Sequence, residues 1–141
     1  MFFRKITFTS LLTVGICLPL LAQADLTLNN NTKQDSTSRI NGGLCTSSIP
    51  VLVKLGIGIA KAGTSITIKT PELKVACFAN ETNCRADVYM TADCSGPIIS
   101  TAILDASSGL KSISPPINGY KLVGWDANQV TFAGPDAIAK K

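Results

Sequence analysis

"VLVKLGIGIAKAG", residues 51–63, holds the choice between two kinds of protein. Read as a helix, it has the make-up of a membrane-attacking peptide, with Lys54, Gly58 and Lys61 sharing one face. Read as a strand, it is one piece of an ordinary folded domain. The period favours the strand. Ile49, Val51, Val53, Leu55, Ile57 and Ile59 are all odd-numbered and all large and aliphatic, while Pro50, Leu52, Lys54, Gly56, Gly58 and Ala60 fill the even positions. Alternation of this length marks an extended segment with one buried face. A helix would spread those side chains around its whole circumference, and Gly56 and Gly58 would each cost it about 1 kcal/mol relative to alanine. The stretch is therefore expected to be a strand, bent or bulged near its glycines.

The flanking sequence has the same texture. "DLTLNN", "STSRIN", "TSITIKT", "ELKVACF", "CRADVYM", "PIISTAIL", "LKSISP", "YKLVGW" and "VTFAG" read as further strands, separated by turn-formers such as "NNNTKQDS", "DASSG" and "DANQ". Turn signals at this spacing predict an all-β fold, an antiparallel β-sandwich or partly open barrel of about eight to ten short strands.

The first residues address the chain for export. Arg4 and Lys5 precede an uncharged apolar run from Ile6 to Leu21, and Ala22-Gln23-Ala24 follows with small residues where signal peptidase inspects. This is the tripartite secretory signal, too short in its apolar part to remain as an anchor. Residues 1–24 are read as the signal, cleaved after Ala24, and 25–141 as one domain. Cys17 is a poor lipidation site, because Ile16 before it is not small and the apolar run continues beyond it. The exported protein is expected in the periplasm or outside the cell. Its charges are scattered, so the concentrated basic stripe that nucleic acid requires is missing.

Four cysteines remain after Cys17 leaves with the signal: Cys45, Cys77, Cys84 and Cys94. An even number in a small exported chain predicts two disulfides. The spacings are poor for zinc, and the chain has no histidine to complete a site. Extended geometry orders the pairing. With the residues after Cys84 in a strand, Cys84 and Cys94 stand about 33 Å apart at roughly 3.3 Å per residue, far beyond the ~7 Å a disulfide spans. A hairpin of "ELKVACF" and "CRADVYM" would set Cys77 against Cys84 and leave Cys45 for Cys94.

The chemical inventory is thin. Without histidine, Ser-His-Asp and Cys-His nucleophile activation are excluded. Glu72 and Glu81 are the only glutamates, and most aspartates sit beside turn residues, where they bond their own backbone. Ser108-x-x-Lys111 has serine–lysine spacing but lies in a turn and lacks the partner motifs of that chemistry. "DASSG" lacks the distal ligands of a calcium loop. Gly56-x-Gly58 lacks the third glycine of a dinucleotide loop. Asn30 and Asn80 each open an Asn-x-Thr tripeptide, which matters only in a cell that glycosylates its exports. Trp125 and Tyr120, beside loops, are the candidate surface-contact residues.

The order "LTLNNNT…STSRINGGLC…C…NCRADVY…CSGPIISTAILD" resembles small exported β-proteins of Legionella-type gamma-proteobacteria. The resemblance implies export and a disulfide-stapled β-fold, with no activity to carry over. The expected function is non-enzymatic binding of a protein or glycan partner outside the cytoplasm, without cofactor or metal. Two other readings are a lipid-inserting protein acting through residues 51–63, and a subunit of a surface assembly in which "DLTLNN" pairs with a neighbour's sheet edge.

Overall fold

The computed structural model describes residues 25–135. Residues 1–24, read from the sequence as the signal and including Ala22, Ala24 and Cys17, and the last six residues lie outside that range. Eight strands follow in chain order: β1 (Leu26–Asn31), β2 (Thr37–Ile40), β3 (Thr64–Ile68), β4 (Cys84–Tyr89), β5 (Ser100–Asp105), β6 (Gly109–Ile113), β7 (Lys121–Asp126) and β8 (Gln129–Ala133). They form two four-stranded sheets, ordered β3-β1-β8-β7 and β2-β4-β5-β6. The inner faces pack together. Leu26, Val130 and Phe132 of the first sheet share one core with Ala86, Val88, Ala102, Leu104 and Leu110 of the second. The all-β sandwich is therefore the observed fold, and its strands alternate as such strands must: β5 runs buried and half-buried by turns from Ser100 to Asp105. All pairings are antiparallel except one. β1, the first strand, runs parallel to β8, the last.

Two segments read as strands are short helices. Pro50–Lys54 forms α1, inside the opening stretch, and Thr70–Ala76 forms α2, inside "ELKVACF". The reason lies at their ends. Pro50 occupies the first helical turn, where its fixed φ suits the helix and its missing N–H costs nothing. Gly56 takes a left-handed φ of 75°. The Gly56 N–H then donates to the Val53 carbonyl at 3.0 Å, and the Ile57 N–H to Leu52 at 2.9 Å. That is the Schellman arrangement, which ends a helix on a glycine. The glycine read as a strand bulge is a helix stop. Similarly Pro71 sits in the first turn of α2, and the Glu72 carboxylate accepts from the Lys69 N–H at 2.8 Å. The odd-numbered face of residues 49–59 is consequently not the buried one. Leu52, an even position, is 1% exposed, while Val53 and Leu55 are each 51% exposed.

The segment from Ile49 to Ala60 crosses the side of the sandwich near β2 and β3. Ser36 and Ala60 exchange N–H···O bonds of 2.9 Å each way, joining the end of the segment to the start of β2. "DLTLNN" is no free edge, because β1 is paired with β3 on one side and β8 on the other. That removes the assembly route expected through it.

The helix and strand readings of residues 51–63 predict opposite mutational patterns. Leu52→Ala is expected to cost about 3 kcal/mol, and Leu55→Ala less than about 0.5 kcal/mol. Urea unfolding of the two variants measures both, and the reverse order would restore the strand.

Candidate functional site

Two concavities stand out among the described residues. One is an apolar cavity between the sheets. The other is a polar cleft on the second sheet's outer face, lined by Asn41, Gly42, Ala79, Asn80, Asn83, Arg85 and Asp87. The cleft has the richer chemistry, and its parts come from three places.

Its floor is β4. Strand alternation turns Ala86 and Val88 into the core and Arg85 and Asp87 outward. The Asp87 side chain is 9% exposed and accepts from Arg85 Nε at 2.9 Å. Its same oxygen, Oδ1, accepts from Thr101 Oγ1 at 2.9 Å. Among the described residues no hydrogen bond reaches Oδ2. One wall is the turn after β2, where the Arg85 N–H donates to Asn41 Oδ1 at 2.9 Å and the Asn41 N–H returns to the Arg85 carbonyl at 2.7 Å.

The other wall is the loop closed by the Cys77–Cys84 disulfide, which spans seven residues of sequence. Both cysteines are fully buried. The loop is held along its length. The Asn80 N–H donates to the Cys77 carbonyl at 2.9 Å, and the Ala106 N–H to Glu81 at 2.8 Å. The Asn83 N–H donates to Asn80 Oδ1 at 3.2 Å. Lys111 Nζ donates to the Thr82 carbonyl at 3.0 Å and to Asn83 Oδ1 at 2.8 Å. On this fixed loop Phe78 is 80% exposed. The ring is thus exposed on a loop whose backbone is restrained at several points.

The sequence-predicted residues fall as follows. Cys77 is bonded to Cys84 and Cys45 to Cys94, the four in two pairs. The local geometry expected for the first pair was wrong, since Cys77 caps α2 and no hairpin joins it to β4. Trp125 faces Val130 across the β7–β8 pair and remains 42% exposed at the rim. Tyr120 packs against the core cluster. Neither lines the cleft. Asn80 does line it, whereas Asn30 is 2% exposed and its side chain is fully used in internal hydrogen bonds. Lys111 is engaged by the loop, and Ser107 and Ser108 donate their N–H groups to Asp105 Oδ1 as turn residues do. No group of three or more metal-ligating side chains occurs among the described residues, and no described helix is long and apolar enough to cross a membrane. Phe78, Asn41 and Arg85 were not singled out from the sequence. The signal available was a lone phenylalanine inside a short Cys-to-Cys loop rich in asparagine.

A two-sheet β-sandwich stapled by two disulfides defines the structural class. The chain belongs to the NttC family, described as the type II secretion system (T2SS) substrate NttC, whose family model matches residues 2–133. The fold is similar to the crystal structure of the Legionella pneumophila type II secretion system substrate NttC, with a TM-score of 0.60 and 20% identity over 79% of this chain and 97% of that one. The resemblance to small exported Legionella proteins therefore holds. None of the curated proteins matches the chain.

The disulfides differ in the loop each closes, 49 residues of separation for Cys45–Cys94 against 7 for Cys77–Cys84. In the chain-entropy account the longer closure stabilises by about 4 kcal/mol and the shorter by about 2 kcal/mol. Paired Cys→Ala variants should lose stability in that order, read from urea midpoints. A second measurement concerns the exposed 91–95 turn. The Ser95 hydroxyl donates to Asp93 Oδ1 at 2.6 Å and holds that carboxyl below its ordinary value. A depressed carboxyl adds stability above its unfolded value of about 3.9 and loses it as pH falls through the lower folded value. Ser95→Ala should move the Asp93 titration upward in an NMR pH series.

Proposed function

We propose that this exported protein is a non-catalytic binding module that holds a glycan in the polar cleft beside the Cys77–Cys84 loop. Membership in a family of type II secretion substrates supports export. The observation that carries the rest is a cleft whose planar polar groups the protein leaves unused, walled by the same disulfide-closed loop that carries the exposed Phe78. Among the described residues, no hydrogen bond occupies Nδ2 of Asn80, Nδ2 of Asn83 or Oδ2 of Asp87. A sugar offers what fits them. Its vicinal hydroxyls each donate and accept, matching amide donors and a carboxylate acceptor, and the C–H face of its ring lies against an aromatic face such as Phe78. The floor is preformed by the Arg85–Asp87–Thr101 network and the wall by the disulfide, so little ordering is needed on binding. The cleft holds no activated nucleophile, which favours a binder over a hydrolase.

A glycan array followed by calorimetry tests this. A saturable oligosaccharide ligand is expected, with Phe78→Ala weakening it about tenfold, equivalent to ~1.4 kcal/mol. Asn83→Ala should weaken it less. Silence across a broad array, turnover of the bound sugar, or an affinity untouched by Phe78→Ala would each overturn the proposal.

A further inference from the structure

Asn-Gly occurs twice in the chain, at Asn41-Gly42 and at Asn118-Gly119. The two dipeptides make the same kind of turn. Asn41 and Gly42 take φ of 51° and 72°, and Asn118 and Gly119 φ of 59° and 82°. The Gly43 N–H closes the first turn on the Ile40 carbonyl at 2.9 Å, and the Tyr120 N–H closes the second on Ile117 at 3.3 Å. Positive φ at both central residues is the type I′ arrangement, which this dipeptide favours. All four residues are exposed. What differs is the carboxamide. Asn41 Oδ1 accepts from the Arg85 N–H at 2.9 Å, and the Asn41 N–H is bonded in turn to the Arg85 carbonyl at 2.7 Å. Among the described residues, no hydrogen bond holds the Asn118 carboxamide or the Gly119 N–H.

We propose that Asn118 is a site of spontaneous deamidation, with water as the co-reactant, and that the clasp on Arg85 protects Asn41 from the same reaction. The Gly119 backbone nitrogen gives up its proton to solvent base and attacks Cγ of Asn118. The Cγ–Nδ2 bond breaks, ammonia leaves, and a five-membered succinimide remains. Glycine leaves the attacking nitrogen unshielded by a side chain. Water then opens the ring. Cleavage at Cγ gives aspartate, and cleavage at the backbone carbonyl gives isoaspartate, so one water is consumed and one ammonia released. Asn41 would have to surrender its bond to Arg85 before its Cγ could meet the Gly42 nitrogen. Isoaspartate adds a methylene to the main chain, which a two-residue turn does not accommodate. Tyr120, next along, packs against the core cluster, so the change at Asn118 loosens the rim of the sandwich. The inference is independent of the glycan reading.

Ageing the mature protein in mildly alkaline buffer, with peptide mapping by mass spectrometry, reads the two sites separately. In the folded protein Asn118 is expected to convert to aspartate and isoaspartate. Asn41 should lag by at least about fivefold, the factor that one ordinary hydrogen bond supplies. In concentrated urea, where both turns are open, the two rates should converge. Aged protein should unfold at lower urea than fresh protein. Asn118→Gly, which keeps the left-handed backbone, should remove that loss along with the modification. Four results would overturn the proposal: Asn41 converting as fast as Asn118 in the folded protein, Asn118 staying intact there while the unfolded chain reacts, a lag of Asn41 that persists in urea, or an unfolding midpoint unchanged by conversion at Asn118.

Discussion

The sandwich depends on β1 being clasped between β3 and β8. Thr27 of β1 stands opposite Thr67 on one side and opposite Gln129 on the other. The first sheet is thus incomplete until the last strand has arrived, a non-local pairing of the kind that folds slowly. Asn30 fixes the end of this strand. Its Nδ2 donates to the carbonyls of Gln34 at 2.8 Å and Ala60 at 2.7 Å. Its Oδ1 accepts from the Thr32 N–H at 3.1 Å and the Thr32 hydroxyl at 2.7 Å. A carboxamide has two donors and two acceptor lone pairs, and here all four are satisfied inside the protein. A buried amide in that state fixes geometry without an unpaired polar group to penalise it. Asn30 therefore ties three things to the central strand: its own exit turn, the register of the sheet, and the far end of the segment that covers the core.

The two disulfides act at different levels of this frame. Cys45–Cys94 joins the loop after β2 to the loop after β4, and its sulfurs form a small buried cluster with Tyr89. It braces the edge of the second sheet. Cys77–Cys84 lies in the main core and joins the end of α2 to the beginning of β4. Since β3 belongs to one sheet and β4 to the other, that bond closes the crossover between layers. The loop it pinches off has no freedom to collapse, which is why Phe78 stays exposed when burial would otherwise be favourable. Stability and the candidate site are in this sense one feature: the bond that secures the crossover also displays the ring.

Much of the fold was legible because strand alternation is a local signal. "TSITIKT" puts Ile66 and Ile68 on one face in the sequence, and in β3 these two are its half-buried positions while its other residues are exposed. The two failures share a cause. In residues 49–59 and in "ELKVACF" the aliphatic pattern suggests a strand, yet Pro50 with Gly56, and Thr70-Pro71-Glu72, are start and stop signals that outrank a short apolar run. The cysteine pairing follows without the expected hairpin, because the extended β4 alone keeps Cys94 away from Cys84. The parallel β1–β8 pair was not legible, since nothing local records which distant strand lies alongside. The polar cleft was illegible for the same reason: Asn41 and Asn83 meet only through the β2–β4 register.

The opening stretch looks like a membrane peptide because its folded task makes similar demands. A segment that must plug a core with Leu52 and line a hollow with Ile57 and Ala60 has to be apolar, and one that runs over the surface needs its charges outside, at Lys54 and Lys61. Insertion into a bilayer would ask for something else. Leu52, 1% exposed, would have to leave the core, at about 3 kcal/mol on the scale of large-to-small changes. The Ser36–Ala60 pair of hydrogen bonds and the Asn30–Ala60 bond would open together, uncovering a buried carboxamide. Five residues of helix, about 7.5 Å long at 1.5 Å per residue, would then face a hydrocarbon layer of about 30 Å. The physics that makes the segment apolar is the same physics that keeps it closed over the sandwich.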